Sequence, residues 1–153
     1  GGRHMRKLLI LGAMLLAGHL YFGVRQGPAP VAAPVSTGVS PSSFDTVFAD
    51  AYANRRSNIQ VSGEGTVTKL LPDDNTGSRH QKFIVRLASG QTLLVAHNID
   101  VAPRIGALRA GDRVQFSGEY EWSDRGGLVH WTHRTASGPH PGGWLRHGGR
   151  TYQ

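Results

Sequence analysis

Histidine and tryptophan side chains are concentrated near the end of the sequence. Imidazole can bind a metal ion or transfer a proton near neutral pH, and an indole ring can stack on a ligand. No other segment combines these residue types so densely, so we expect the functional surface of the protein here. The residues concerned are His130, Trp131, His133, His140, Trp144 and His147.

The hairpin that leads into this segment predicts a close pair of polar side chains. Residues 114–122 alternate between apolar and polar types, and residues 127–133 follow after a turn. If the hairpin loop holds two or four residues, as hairpins favour, His130 lies opposite Glu119 or Glu121. Such a contact is either a cross-strand polar pair on a solvated face, or an imidazole oriented by a carboxylate for base catalysis or metal binding.

The same parity divides the other side chains of the last strand between two faces. Trp131 and His133 share the face of the large apolar residues of the preceding strand, so we expect Trp131 to lie in the core. Thr132 lies beside His130 on the opposite face and adds a hydroxyl group to the predicted binding surface. A loop of three or five residues would reverse both assignments.

The sequence offers candidate ligands for one kind of metal centre, a zinc ion held by histidines. There is no cysteine, which excludes cysteine-ligated sites, and the His-Glu-x-x-His motif is missing. The candidate ligands are His130, His133 and His140, with His97 as a further one. Because His130 and His133 are three residues apart on a strand, they point to opposite faces, and a site requires the following loop to fold back.

Two further pairs of residues complete the predicted binding surface. His97 and Asn98 end the third predicted strand. In oligonucleotide/oligosaccharide-binding (OB) barrels, strand ends and connecting loops border the binding face. Trp144 and Arg146 lie in the C-terminal tail, which is either a packed plug of the barrel or an aromatic platform flanked by arginine.

The periodicity of apolar residues predicts one helix followed by strands. A stripe at positions i, i+3, i+4, i+7 and i+8 predicts an amphipathic helix that begins near Ser42 or Ser43. From Ile59 onward the period changes to two, which is typical of strands. The stripe, which we expect to dock on the rest of the domain, consists of Phe44, Val47, Phe48, Ala51 and Tyr52.

Five strands are predicted, and the first is weakened by Gly63 and Gly65, which indicates a bend. The one substantial break falls between the third and fourth strands, where we expect a helical turn near residues 101–108. This plan predicts a mainly β domain over residues 43–153, a small five-stranded OB-like barrel preceded by one amphipathic helix. An open antiparallel sheet with the helix packed across it is the alternative. The predicted strands cover residues 59–71, 81–87, 91–97, 114–122 and 127–133.

The N-terminal residues carry targeting features. Residues 1–4 look like a vector remnant, and residues 5–25 combine Arg6 and Lys7 with an apolar run, which predicts a signal peptide or membrane anchor. Residues 26–42 are rich in Pro, Ala and Ser and predict a flexible linker. We therefore expect a periplasmic or exported domain, anchored to the inner membrane if the N-terminal segment is not cleaved.

The net charge of +7 says little about the partners of the protein. Four of the 17 basic residues precede the linker, which leaves 13 basic residues against 10 acidic ones in the rest of the chain. An excess this small does not indicate a nucleic-acid-binding protein. Nucleophile-elbow, phosphate-loop and dinucleotide-binding motifs are missing from the sequence, so the enzyme classes that depend on them find no support.

Several stretches, together with His140 and Trp144, resemble a family of short exported bacterial proteins that is described as a domain of unknown function and is OB-like. The resemblance extends over about residues 59–153, implies a small β-domain, and brings no catalytic residue with it. In that family an Asp-Pro pair tends to follow the His-Trp-Thr-His stretch, whereas Arg134 follows it here, which weakens the case for catalysis if that Asp has a chemical role. The stretches are residues 79–85, 94–104, 118–122 and 127–133.

The sequence leads to three functional hypotheses. The first is a non-enzymatic cell-envelope binding module, a monomeric OB-like domain that recognises a ligand or protein partner through its His/Trp-rich surface without a cofactor. The second is a metal-dependent hydrolase, a nuclease or polysaccharide-cleaving enzyme, with zinc bound by histidines. The third, binding of single-stranded nucleic acid, fits the predicted fold but has little support from charge.

Overall fold

The computed structural model of the protein describes residues 43–153. The vector remnant, the signal peptide or anchor, and the linker predicted for residues 1–42 lie outside the described residues. Within residues 43–153, no helix is long and apolar enough to cross a membrane. The elements are α1 (Ser43–Ala53), β1 (Ile59–Asp74), β2 (His80–Arg86), β3 (Thr92–Asn98), β4 (Arg113–Glu121), β5 (Leu128–His130), β6 (Trp144–His147) and β7 (Arg150–Tyr152).

The first five strands close into a ring. β1 pairs along its first half with β4 and along its second half with β2, and it changes partners at Thr66. β2 pairs with β3, β3 pairs in parallel with β5, and β5 pairs with β4, which completes the circuit. β6 and β7 extend the sheet beyond β4. The mainly β fold with a five-stranded barrel and one preceding helix is therefore confirmed.

The helix α1 packs against the barrel core through Phe48. The ring of Phe48 makes edge contacts with the rings of Phe116 and Tyr120, at centroid distances of 5.8 Å and 6.1 Å. Gly63 of β1 permits this approach, because a Cβ atom there would lie 2.9 Å from the rings of Phe48 and Phe116. The missing side chain at this glycine thus makes room for the helix. Fully buried apolar side chains of the strands include Phe83, Val85, Val95, Val114, Phe116, Tyr120 and Val129.

The predicted docking face of α1 is correct only in part. Phe48 and Ala51 are fully buried, whereas Phe44, Val47 and Tyr52 keep 54%, 45% and 40% of their surface exposed. The barrel covers only the part of the helix that carries Phe48 and Ala51, which is narrower than the predicted apolar stripe. The exposed members of the stripe remain at the surface of the described domain.

The helical turn expected near residues 101–108 does not form, and the segment consists of turns and bends. The side chain of Gln81 accepts a hydrogen bond from the N–H of Ile105 and donates one to its carbonyl oxygen, both at 2.9 Å. A buried side chain thus satisfies the backbone groups that would otherwise need helical partners.

Two strand ends also differ from the prediction, while the second, third and fourth strands agree to within one residue at each end. β1 continues to Asp74 instead of ending at Leu71, and Pro72 lies at an irregularity in its pairing with β2, where a missing N–H is tolerated. β5 ends at His130, because Trp131 has a left-handed backbone conformation with φ +52° that interrupts the strand.

Candidate functional site

Two glutamates and a histidine lie side by side on the outward faces of β4 and β5. Glu119 pairs directly with His130, and Glu121 lies two positions along on the same face. The connection between the two strands, residues 122–127, is longer than the two or four residues expected, but its length is even, so His130 faces the glutamates as the parity argument predicts. Tyr120 and Val129, which pair with each other at the next position, are fully buried and hold the two strands in this register.

The three side chains converge on one point. His130 Nε2 lies 3.5 Å from a carboxylate oxygen of Glu119 and 3.6 Å from one of Glu121. One nitrogen or oxygen atom from each residue lies within 4.8 Å of the other two, a spacing that could hold a metal ion. The Nε2 atom is buried and has no hydrogen-bond partner among the described residues, which is uncommon for a buried polar atom. We refer to Glu119, Glu121 and His130 as the Glu-Glu-His cluster.

His140 reaches this cluster from the loop between β5 and β6. Its Nε2 lies 2.5 Å from a carboxylate oxygen of Glu119, and its Nδ1 lies 2.8 Å from the carbonyl oxygen of Pro141. Because a carbonyl oxygen and a carboxylate oxygen face the two ring nitrogens, this arrangement stabilises the doubly protonated form of the ring. The hydrogen bond to Glu119 raises the pKa of His140 in spite of partial desolvation. The same bond lowers the pKa of Glu119.

Trp131 lies half-buried at the surface and not in the core, so that prediction is wrong. Its ring is stacked on the rings of His140 and His133, at centroid distances of 3.8 Å and 5.4 Å, and its Nε1 donates to the Thr135 hydroxyl. The left-handed conformation of Trp131 ends the alternation of β5, and Thr132 takes the buried position in its place. The indole ring therefore belongs to the surroundings of the cluster.

His97 and Thr132 lie inside the domain and not on the predicted binding surface. Both side chains are fully buried, and His97 Nδ1 lies 2.8 Å from the Thr132 hydroxyl. His97 Nε2 lies 3.0 Å from the carbonyl oxygen of Pro103, which can only accept, so Nε2 carries the proton and Nδ1 accepts from Thr132. Burial lowers the pKa of His97 and keeps its ring neutral. With both nitrogens engaged, His97 has none to offer a metal ion in this arrangement.

The other predicted site residues are not part of the cluster. Asn98 accepts a hydrogen bond in the turn after β3, and the His133 Nδ1 atom is bonded to the carbonyl oxygen of the next residue. Trp144 shares with His140 the lining of a shallow depression of about 460 Å³, and the Arg146 guanidinium lies 4.5 Å from the centroid of the Trp144 ring. The predicted set of three histidine ligands is therefore not brought together in one place.

The chain matches the model of a known protein family. The model of DUF3465, described as a protein of unknown function, matches residues 31–153. The chain belongs to the DUF3465 family. The resemblance to a family of unknown function, inferred from the sequence, is thereby confirmed. No curated protein matches the chain significantly.

Sequence reasoning missed the contact between His140 and Glu119 in this DUF3465 domain. The contact depends on the path of the loop between β5 and β6, which runs back across β4. A Cβ atom at Gly143 would lie 2.2 Å from the carbonyl oxygen of Trp131 and 2.4 Å from that of Ser117, so two backbones approach closely at this glycine. The glycine pair Gly142-Gly143 at the end of the loop is the sequence feature that agrees with such an approach.

Proposed function

We propose that this DUF3465 protein is a non-enzymatic binding module of the cell envelope, and that its ligand is a divalent metal ion held by the Glu-Glu-His cluster. The observation that carries the proposal is His130 Nε2, a buried nitrogen that lacks a hydrogen-bond partner among the described residues and faces two carboxylates. A bound cation would satisfy this nitrogen and relieve the repulsion between the carboxylates at the same time.

The donor set favours zinc or a similar transition metal. One imidazole nitrogen with two carboxylate oxygens suits zinc, whereas calcium and magnesium prefer oxygen ligands alone. Ligand atoms about 2.0–2.2 Å from a tetrahedral zinc ion lie roughly 3.3 Å apart. The distances from His130 Nε2 to Glu119 and Glu121, 3.5 Å and 3.6 Å, are already close to that value. Three protein ligands leave one position open for water or another group.

The surroundings of the cluster support binding in preference to catalysis. A metal-dependent hydrolase needs a basic group beside the metal that accepts a proton from the attacking water. His140 donates from both ring nitrogens, and Glu119 already accepts one of these hydrogen bonds. His140 and Glu119 are therefore engaged with each other, and neither is a free base in this arrangement.

Location in the cell envelope is supported by the N-terminal sequence. Arg6 and Lys7 precede an apolar run from Leu8 to Ala17, the pattern of an export signal or membrane anchor. Protease treatment of spheroplasts that express the full chain with a C-terminal epitope tag tests this location. We expect digestion of the tag, and a tag that is protected until the cells are lysed contradicts it.

Isothermal titration of the full chain with zinc, combined with elemental analysis, tests metal binding. We expect one zinc ion per chain, and we expect His130→Gln to weaken binding by more than about tenfold, the loss that even an outer-shell substitution can cause. His147→Gln is a matched control, because His147 forms a similar pair with Asp112 (2.8 Å) away from the cluster. The absence of stoichiometric zinc, or equal affinity in the His130 variant, refutes the proposal.

A further inference from the structure

We infer that a cavity beside β1 binds an acidic oligosaccharide, at a site separate from the Glu-Glu-His cluster. The cavity has a volume of about 790 Å³, within the roughly 300–1,000 Å³ that is typical of ligand pockets. It shares no residue with the cluster, so the inference goes beyond the proposed function and does not depend on it. We call this cavity the β1 groove, and its lining includes Phe44, Glu64, Arg86, Arg113, Gln115 and Trp144.

Paired residues of β1 and β4 form a polar floor in the β1 groove. Glu64 pairs with Gln115, and Thr66 pairs with Arg113. Val114 lies between the two β4 residues and is fully buried, so the alternation of the strand turns its neighbours outward. The Glu64 carboxylate accepts a hydrogen bond of 3.0 Å from Gln115 Nε2 and is also paired with the Arg113 guanidinium. These contacts hold a carboxylate, an amide and a guanidinium side by side on the floor.

This floor has the chemistry that sugar hydroxyl groups require. A sugar hydroxyl both donates and accepts hydrogen bonds, so it needs partners of both kinds. The Arg113 guanidinium donates, and the carbonyl oxygen of the Gln115 side chain can accept while its nitrogen serves Glu64. The hydroxyls of Ser62 and Thr66, which also line the groove, can do both. The floor therefore offers donors and acceptors together.

Two aromatic rings also line the groove, Phe44 from the start of α1 and Trp144 from the start of β6. Phe44 keeps 54% of its surface exposed, and Trp144 is half-buried. The Nε1 atom of Trp144 has no hydrogen-bond partner within residues 43–153 and can donate to a ligand. Sugar rings are apolar on their faces and polar at their edges, so they suit a groove that combines aromatic rings with a polar floor.

The charges that line the groove favour an acidic sugar over a neutral one. The Asp45 carboxylate is buried and accepts a hydrogen bond of 2.9 Å from the N–H of Ser89. Glu64 is engaged by Arg113. The Arg86 guanidinium is exposed, and it has no ion-pair partner among residues 43–153. A carboxylate of the ligand can therefore form a bidentate pair with Arg86 without breaking an existing contact.

Isothermal titration of the full chain with acidic oligosaccharides, in the presence of a chelator, tests the inference. The probes are tetragalacturonate and a hyaluronan tetrasaccharide, which carries glucuronate. Two matched compounds serve as controls: fully methyl-esterified tetragalacturonate keeps the sugar rings without the charges, and tetraglutamate keeps the charges without the sugar. We expect at least one acidic oligosaccharide to bind with a dissociation constant below about 1 mM. We expect the methyl ester and tetraglutamate to bind at least about tenfold more weakly than tetragalacturonate.

Two variants separate the contribution of charge from that of stacking. Arg86→Gln is expected to reduce the affinity for tetragalacturonate to that for the ester and to leave ester binding unchanged. Arg125→Gln is its control, because Arg125 is also exposed and without an ion-pair partner in the described domain, but lies outside the groove. Phe44→Ala is expected to weaken binding of acid and ester equally, by about three- to tenfold. Val47→Ala is its control, an exposed residue of the same helix outside the groove.

Several outcomes would overturn the inference, and each leaves zinc binding untouched. Failure of both acidic oligosaccharides to bind is one, and equal affinity for acid and ester is another. Equally tight binding of tetraglutamate would show that the groove recognises acidic peptides. Weaker oligosaccharide binding by His130→Gln would place the ligand at the cluster. In NMR spectra of the unsubstituted protein, the bound oligosaccharide must shift the Gln115 side-chain amide and the Trp144 indole N–H, and shifts confined to other residues contradict the site.

Discussion

His97 Nδ1 accepts a hydrogen bond of 2.8 Å from the Thr132 hydroxyl in the interior of the domain. This bond ties the end of β3 to the residue after Trp131, and it thereby fixes the start of the loop that carries His140. The other ring nitrogen donates to the carbonyl oxygen of Pro103, and burial disfavours the charged form of the ring by lowering the pKa of His97. A buried histidine thus supports the candidate site from inside.

Acidification is expected to destabilise the protein through His97. Burial lowers the pKa of His97 below the ordinary value of 6.5, so the folded state binds fewer protons than the unfolded state below that pH. The stability that the neutral ring contributes is therefore present above pH 6.5 and is lost as the pH falls toward the folded-state pKa. Urea unfolding of the full chain from about pH 7.5 to about pH 5 measures this loss.

The variant His97→Gln isolates this effect from other titrations. Glutamine can still donate to the carbonyl oxygen of Pro103 and accept from Thr132, but it does not titrate. We expect a free energy of unfolding lower by about 1–3 kcal/mol at neutral pH, because the shorter side chain reaches its partners less well. We also expect a smaller dependence on pH. The same pH slope in both proteins contradicts the assignment.

The pair of His140 and Glu119 is expected to respond to pH differently. Glu119 raises the pKa of His140, so the stability from the protonated ring is fully present below pH 6.5 and is lost as the pH rises through the folded-state pKa. The pKa of Glu119 is lowered from 4.5, so its contribution is lost as the pH falls through the folded-state value. NMR titration of metal-free protein should place the midpoint of His140 above 6.5 and return it toward 6.5 in Glu119→Gln. A wild-type midpoint at or below 6.5 speaks against the pair.

The barrel and the place of His130 could be predicted from the sequence because both depend on periodicity alone. Alternation in β4 fixes its inward face, and an even number of connecting residues fixes the face of β5, whatever path the connection takes. The same alternation places His97 on the inward face of β3, although its polar side chain suggests a position at the surface. Leu93 and Val95 are buried in β3, and His97 follows at the same parity.

Trp131 and His140 could not be predicted, because their positions depend on non-periodic backbone. The left-handed φ of Trp131 turns its ring out of the barrel, and nothing in the residue type favours that conformation. His140 reaches Glu119 through a loop rich in glycine and proline, whose path depends on packing against β4. The part of the site that could not be predicted is therefore the part contributed by the loop between β5 and β6.

Gly118→Ala is expected to damage the domain beneath the cluster. An added Cβ atom would lie 2.3 Å from the carbonyl oxygen of His130, a backbone atom of the paired strand, so β5 would have to move. We expect a loss of at least about 1–3 kcal/mol in the free energy of unfolding, together with weaker zinc binding because His130 shifts. Gly106→Ala is the control, because its added Cβ atom has no neighbour within 4 Å. Equal urea midpoints for the two variants would show that the close approach is unimportant.

Glu121→Gln is expected to change the stability of the protein differently in the absence and in the presence of zinc. Glu121 and Glu119 lie together beside His130 Nε2, so without a metal ion the removal of one negative charge leaves the melting temperature unchanged or raises it slightly. With zinc present, the variant loses a ligand. If affinity falls tenfold under saturating zinc, the stabilisation by zinc falls by about 1.4 kcal/mol.

Thermal unfolding of wild type and Glu121→Gln, with zinc and with a chelator, measures both effects. Asp124→Asn is the control, because Asp124 is an exposed carboxylate in the connection between β4 and β5 and lies outside the cluster. We expect this control to keep the full stabilisation by zinc. If the chelated Glu121→Gln protein is instead strongly destabilised, Glu121 serves the fold in the metal-free protein and is not held ready for a cation.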